Sequence, residues 1–232
     1  NVLGRADKII VNSLDFKRKF KTKFNIHSEC IYNPLNKDEI IKKSKVKTKI
    51  KFDKSKLNLI NVGRFTDQKD QLTLLKAINR IKDKIKLNLL IVGRGVEKKN
   101  LINYIHENNL SKFVQVIDFQ NNPFNLIKSS DVFLLSSLYE GLPNVLLESQ
   151  VLKKFIISSN CPTGPKEILL NGKAGFLFNV GDYKRLSDLI LYYSKNKRKL
   201  SKKILVGYKN LKRFDYDQNL QNYLDIINSL LK

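Results

Sequence analysis

The sequence predicts an α/β fold, a Rossmann-like parallel sheet with helices on both faces, preceded by a strand–helix–strand piece of another unit. Three observations carry this. From residue 57 onward, short runs rich in Leu, Ile and Val alternate with amphipathic stretches. The apolar runs are nearly continuous, as in strands buried on both faces of a parallel sheet. Two of them, LNLINVG at 57–63 and LNLLIVG at 87–93, end on a glycine, a residue that lets the chain turn out of a strand.

Taken in order, KIIVN at 8–12 reads as a short buried strand bounded by Asn12 and Ser13. In LDFKRKFKTKF at 14–24, Phe16, Phe20 and Phe24 recur four apart, on one face of a helix. A second short strand, ECIYNP, stops at Pro34. Residues 1–36 thus form one strand–helix–strand unit, too small to stand alone. Residues 37–56, KDEIIKKSKVKTKIKFDKSK, are lysine-rich with weak periodicity and read as a solvated linker. Beyond it, QLTLLKAINRIK and KKNLINYIHENN are expected helices. FVQVIDF, DVFLLSS and FIISS are expected strands, each separated by a loop or helical segment. After GFLFN come DYKRLSDLILYYSKN and two further helical segments reaching Lys232. The main domain is placed at 57–200 and a helical C-terminal segment at 201–232.

Composition narrows the function classes. With 232 residues, 42% of them hydrophobic, the chain can build one full-sized core. No apolar run reaches the roughly 18 residues of a membrane-spanning helix. The chain has no methionine and starts at Asn1, so it is expected to be a fragment lacking its true N-terminus. Cys30 and Cys161 fit neither a metal spacing nor a disulfide framework, and a reduced, cytoplasmic setting is expected. The net charge of +23 comes mostly from lysines spread along the chain. No nucleic-acid motif accompanies them, so a nucleic-acid partner is not expected. Peripheral contact with anionic lipid at the inner face of a membrane is compatible with the charge, at about 1 kcal/mol per basic residue near the surface.

Two constellations carry chemistry. Gly63-Arg64-Phe65 follows the first apolar run, and Lys69 lies five residues beyond Arg64. A guanidinium fork and a compact ammonium at one strand–helix turn suit a diphosphate. From the residues alone, in a chain with 44 Lys and Arg, ordinary surface charge is the stronger explanation of them. GRGVEK at 93–98 is a weaker echo without the full dinucleotide-binding pattern, and is not read as a cofactor loop. The second constellation is SSLYEGLPNVLLES at 136–149. Here Gly141 and Pro143 set up a helix start whose free amides face an anion or a sugar hydroxyl. Glu140 stands in the loop before that helix and Glu148 within it. Helical spacing gives Glu148 the neighbours Asn144, Val145, Val151 and Leu152, mostly apolar company that turns the carboxylate toward a cleft. A half-buried carboxylate needs donors, and a ribose diol supplies two. The alternative is that both carboxylates only cap and decorate the helix. Glu167 reads as a helix-start acid or a nearby loop contact, and His27 and His106 as surface or packing residues.

These motifs, in their order, resemble the C-terminal, donor-binding half of family-four (group 1) retaining glycosyltransferases of the GT-B fold. The match runs through VGRF with Lys69, FQNNPF, SSDVFLLSSLYEGLPNVLLESQ, CPTGPKEILLNGKAGFLF and GD, over residues 57 to about 200. The resemblance implies that Arg64 and Lys69 grip the donor diphosphate, that Glu140 contacts the transferred sugar, and that Glu148 binds ribose. It implies that Phe119 and Gln120 cradle the base through backbone groups. Gly63 would leave room for the ligand, and Gly141, Leu142, Pro143 and Asn144 would present amides to sugar and phosphate. No metal or other cofactor is implied. The partners implied are a nucleotide-sugar donor, with UDP favoured by CPTGPKEIL at 161–169, and a glycan or lipid-linked acceptor. Residues 1–36 would be the end of the acceptor-side domain, and the fragment alone would be inactive. A nucleotide-sugar epimerase of the same fold, or a non-catalytic nucleotide- or polyanion-binding module, are the alternatives.

Overall fold

The computed structural model describes residues 5–231; the first four residues of the expected N-terminal piece and Lys232 lie outside the described residues. A two-stranded parallel pair opens the chain: β1 (Ile10–Val11) and β2 (Glu29–Cys30), joined by helix α1 (Leu14–Phe24). Ser13 caps α1 by accepting from the Phe16 amide, and Asn25 closes it in a left-handed conformation. Phe16, Phe20 and Phe24 stack along one side, with ring centroids 4.8 and 6.1 Å apart, yet α1 buries none of its residues.

The expected linker is only partly one. Lys37–Ser44 form helix α2, capped by Asn36, and its Ile40 is buried in the main core. Ile50 and Phe52 pack against the same core. The lysines that make the segment look solvated alternate with just enough isoleucine and phenylalanine to cover one sheet face. Weak periodicity concealed this, because four apolar anchors (Ile40, Ile41, Ile50 and Phe52) over so long a stretch define no regular stripe.

The main sheet contains six parallel strands: β3 (Leu57–Val62), β4 (Leu87–Val92), β5 (Val114–Ile117), β6 (Val132–Leu135), β7 (Phe155–Ser159) and β8 (Phe176–Phe178). Their spatial order is β5-β4-β3-β6-β7-β8. The connecting helices are α3 (Gln71–Ile81), α4 (Lys98–Glu107), α5 (Phe124–Ser129), α6 (Asn144–Val151) and α7 (Pro165–Ile168). Two long helices finish the chain, α8 (Tyr183–Asn210) and α9 (Tyr216–Leu230). α8 continues past residue 200 but is kinked at Asn196, whose backbone leaves the helical region.

Each strand face has its own core. Leu57, Leu59, Leu87 and Leu89 pack against α3, α4 and the first half of α8. Ile60, Leu90, Phe133 and Ile156 pack against α2, α5 and α6. This explains why β3, β4, β6 and β7 read as continuous apolar runs: neither face meets water. The order of strands also fixes where a ligand can sit. The chain winds outward from β3 to β5, then returns to place β6 on the other side of β3. The helices that follow β3 and β6 therefore lie on opposite faces of the sheet, leaving a crevice at the carboxyl ends of these strands.

Candidate active site

Both predicted constellations meet at that crevice. β3 and β4 pair in register from Leu57 with Leu87 to Val62 with Val92, so Gly63 and Gly93 leave the sheet side by side. A Cβ on Gly93 would lie 1.9 Å from the Gly63 carbonyl oxygen, a distance no larger residue tolerates. Arg64 follows, exposed, with Nη2 donating to Gln68 at 3.4 Å. A 3-10 turn at Asp67–Lys69 then reverses the chain into α3, which Asp70 caps from a left-handed conformation. That turn carries the Lys69 side chain back over Gly63, its stem 3.7–3.8 Å from where a Cβ would sit.

The loop after β6 is stitched to this turn. Leu138 donates its amide to the Gln68 carbonyl at 2.8 Å, and the Gln68 side chain donates to the Tyr139 carbonyl at 2.9 Å. Ser136 donates to the Lys69 carbonyl at 2.9 Å. These bonds bring Lys69 Nζ to 2.5 Å from Glu140 Oε1, with side chains 15% and 8% exposed. The Ser137 hydroxyl donates to the same oxygen at 2.7 Å. Thr163 donates to the Glu140 carbonyl from behind. The Glu140 carboxylate thus accepts from a hydroxyl and from an ammonium whose stem passes over Gly63.

Glu148 is placed differently. It lines a cavity of about 470 Å³ with Gly63, Arg64, Phe119, Gln120 and Phe124. Among the described residues nothing donates to its carboxylate, and burial alone pushes its pKa up to about 7 from an ordinary 4.5. Helix α6 has no side-chain cap: Pro143 precedes it in an extended conformation, so its first amides have no side-chain acceptor. Leu142 and Pro143 are buried supports, whereas Gly141 and Asn144 are exposed at the rim. Pro143 stands just outside the helix rather than within its first turn, one residue from the expected position.

Phe119 is half exposed, and Arg94 lies over its ring with the guanidinium 5.0 Å from the centroid. Arg94 also lines the cavity. Sequence reasoning missed it, having set GRGVEK aside for lacking a complete glycine pattern. The available signal was the repeat of Val-Gly-Arg at 62–64 and 92–94, which parallel pairing makes adjacent. Another cavity, about 290 Å³, opens beside Asn58 and Lys112, where β3 and β5 begin. No carboxylate lines it, and it lies at the opposite sheet end from the crevice.

Both cysteines are free thiols, Cys161 buried and Cys30 half-buried, and burial pushes each pKa up to about 11, so neither is a reactive thiolate. His27 is exposed beside Lys21, and His106 occupies the last turn of α4. Among the described residues, no group of three or more His, Cys, Asp or Glu side chains is placed to hold a metal ion. Glu167 stands in the first turn of α7, the helix-start position expected of it, but its side chain also reaches the start of α1, far away in sequence.

A doubly wound parallel sheet with cations and carboxylates at its switch point belongs to the open α/β class that takes ligands in that crevice. The family model for "Glycosyl transferases group 1" matches residues 42–208, and the chain belongs to that family. An N-acetylgalactosamine-N,N'-diacetylbacillosaminyl-diphospho-undecaprenol 4-alpha-N-acetylgalactosaminyltransferase of Campylobacter jejuni is 30% identical over 76% of this chain and 47% of its own length. A capsular polysaccharide biosynthesis glycosyltransferase, CapH, of Staphylococcus aureus is 28% identical over 95% of this chain and 57% of its own. The chain therefore spans about half the length of these relatives. Among solved structures, a glycosyltransferase from Rickettsia africae superposes with a TM-score of 0.85 at 21% identity, covering 97% of this chain and 64% of that one. The Anabaena protein HepE, crystallised with UDP, superposes with a TM-score of 0.83 at 18% identity over the same shares. The fold expected from the sequence is the fold these structures share.

Proposed function

We propose that this chain forms the donor side of a glycosyltransferase that moves a sugar from a nucleotide diphosphate-sugar to a glycan or lipid-linked acceptor. The observation that carries this reading is the Glu148 carboxylate, desolvated and without a donor, facing the same cavity as Arg64. A ribose diol supplies the two missing donors. Uridine is the base we favour, lying along Phe119 and Gln120 with Arg94 at its edge; HepE was crystallised with UDP. Arg64 and Lys69 hold the diphosphate, and Lys69 exchanges part of its contact with Glu140 for a phosphate oxygen. Glu140 then turns its free acceptor capacity to hydroxyls of the sugar, while the first amides of α6, beyond Gly141, face the sugar and phosphate.

Transfer breaks the bond between the anomeric carbon and the phosphate oxygen as the acceptor oxygen bonds to that carbon from the same face. The acceptor proton passes to the departing phosphate oxygen, and configuration is retained. Arg64 and Lys69 stabilise the charge that develops on the diphosphate. No metal enters this scheme. Lysine-rich surface would keep the protein at the cytoplasmic face of an anionic membrane, where lipid-linked acceptors reside.

Calorimetric titration of the chain with UDP, GDP and ADP tests the donor side directly. One saturable site with preference for UDP is expected; heat from none of the three at millimolar concentration would sink the reading. In the full-length protein, Arg64→Ala and Lys69→Ala should each lower turnover by about 100-fold or more, the scale of losing a charge-stabilising donor. Wild-type turnover in both variants would remove those residues from the mechanism.

A further inference from the structure

Glu167 lies behind the loop that carries Gly141–Asn144, outside the cavity. Its side chain is only 7% exposed. One carboxylate oxygen accepts from the Leu14 amide at 3.2 Å and from the Tyr32 hydroxyl, the other from the Asp15 amide at 3.1 Å. Arg213 closes the cluster: its guanidinium reaches the Tyr32 hydroxyl at 3.3 Å and the Glu167 carbonyl at 3.2 Å. A buried anion with this many donors is a joint rather than a decoration. It is where the β1–α1–β2 unit meets the main domain, and α1 has no buried residue with which to hold itself there.

The joint has an output on each side. On its own side, α7 starts from Gly164, whose backbone is wedged against the loop after β6; a Cβ there would lie 2.4 Å from the Gly141 carbonyl oxygen. On the other side, Asn33 Nδ2 donates to Asn144 Oδ1 at 2.8 Å. The Asn12 carboxamide lies 3.8 Å from where a Cβ on Gly141 would sit. Asn12 directly precedes the cap of α1, and Asn33 directly follows Tyr32. Both asparagines are therefore fixed by the groups that Glu167 binds.

We propose that Glu167 is a positioning residue that holds Asn12 and Asn33 of the N-terminal unit against the Gly141–Asn144 loop. Its meaning for sugar transfer rests on the donor-site reading above. Glutamine cannot substitute: one of its two terminal atoms is an NH2 group, which would face an amide N–H or hydroxyl that now donates.

The test uses this chain, with Glu167→Gln and the gentler Tyr32→Phe, which removes one hydroxyl and keeps the ring. Hydrogen exchange at the Leu14 and Asp15 amides should accelerate about tenfold or more in Glu167→Gln. In nitrogen-15 NMR spectra of both variants, the side-chain amides of Asn12 and Asn33 and the backbone amides of 141, 142 and 144 should shift. Changes confined to residues near 14–16 and 32, with the 141–144 loop unmoved, overturn the proposal, since a local helix cap would do only that. UDP titration of the unaltered chain is read separately: its failure would count against the donor-site reading and leave the NMR comparison intact.

Discussion

Glu148 shows at the scale of one residue how folding and binding pull apart. Its carboxyl group is raised to about 7 in the folded chain, against an ordinary 4.5 when unfolded. Between those values the folded chain holds a proton that the unfolded chain has released. The destabilisation is therefore absent below pH 4.5, grows as pH rises, and is complete above 7. Glu148→Gln should abolish this slope and stabilise the chain at pH 8 by an amount on the order of 2 kcal/mol, read from urea midpoints. The same variant should bind UDP more weakly by about tenfold or more, since the amide offers one acceptor where two are needed. Binding should also weaken by up to about tenfold in the unaltered chain between pH 8 and pH 6, because protonation removes the acceptor. An equal weakening in Glu148→Gln would assign the pH effect elsewhere. Lys69 and Glu140 behave oppositely, since each satisfies the other. Lys69→Ala should cost about 3 kcal/mol by stranding a buried carboxylate. The double variant with Glu140→Ala should cost less than the sum of the two singles, which a double-mutant cycle measures.

At the scale of elements, the junctions of β3 and β4 differ in a way their matching sequences conceal. Both end in Val-Gly-Arg, yet a Cβ on Gly63 would meet only the flexible stem of Lys69, whereas one on Gly93 would meet backbone. Gly93→Ala should therefore destabilise by about 2 kcal/mol or more, and Gly63→Ala by less than about 1 kcal/mol, in chemical denaturation. Comparable losses at both would contradict the register described. The elements most legible in the sequence were those with a regular period and a local stop. α1 and α3 were expected at 14–24 and 71–82 and occur at Leu14–Phe24 and Gln71–Ile81. β5 was expected across 113–119 but occupies Val114–Ile117 at the sheet edge, so Phe119 is released into the loop beside Arg94. α2 was missed although Asn36, Asp38 and Glu39 form a local start signal, because its short apolar face around Ile40 is hidden among lysines.

Over the whole molecule, a charge of +23 is compatible with a stable fold because, among the described residues, no lysine or arginine enters either of the two filled cores. The proposed peripheral contact predicts sedimentation with vesicles containing anionic lipid, diminishing steeply as salt is raised, and none with neutral vesicles. Among the described residues no helix is long and apolar enough to cross a membrane. By itself the sequence determined the alternation of strand and helix and the glycines that end β3 and β4. It also placed Glu140 and Glu148 around one helix start, because spacing, capping and turn chemistry act over a few residues. Tertiary structure alone decided that Lys69 meets Glu140, that Arg94 joins Phe119, and that Glu167 reaches back to α1. Each of those contacts joins residues on loops from different strands or from different units. Their proximity follows from strand order and the crevice it opens, a property of the assembled sheet rather than of any segment.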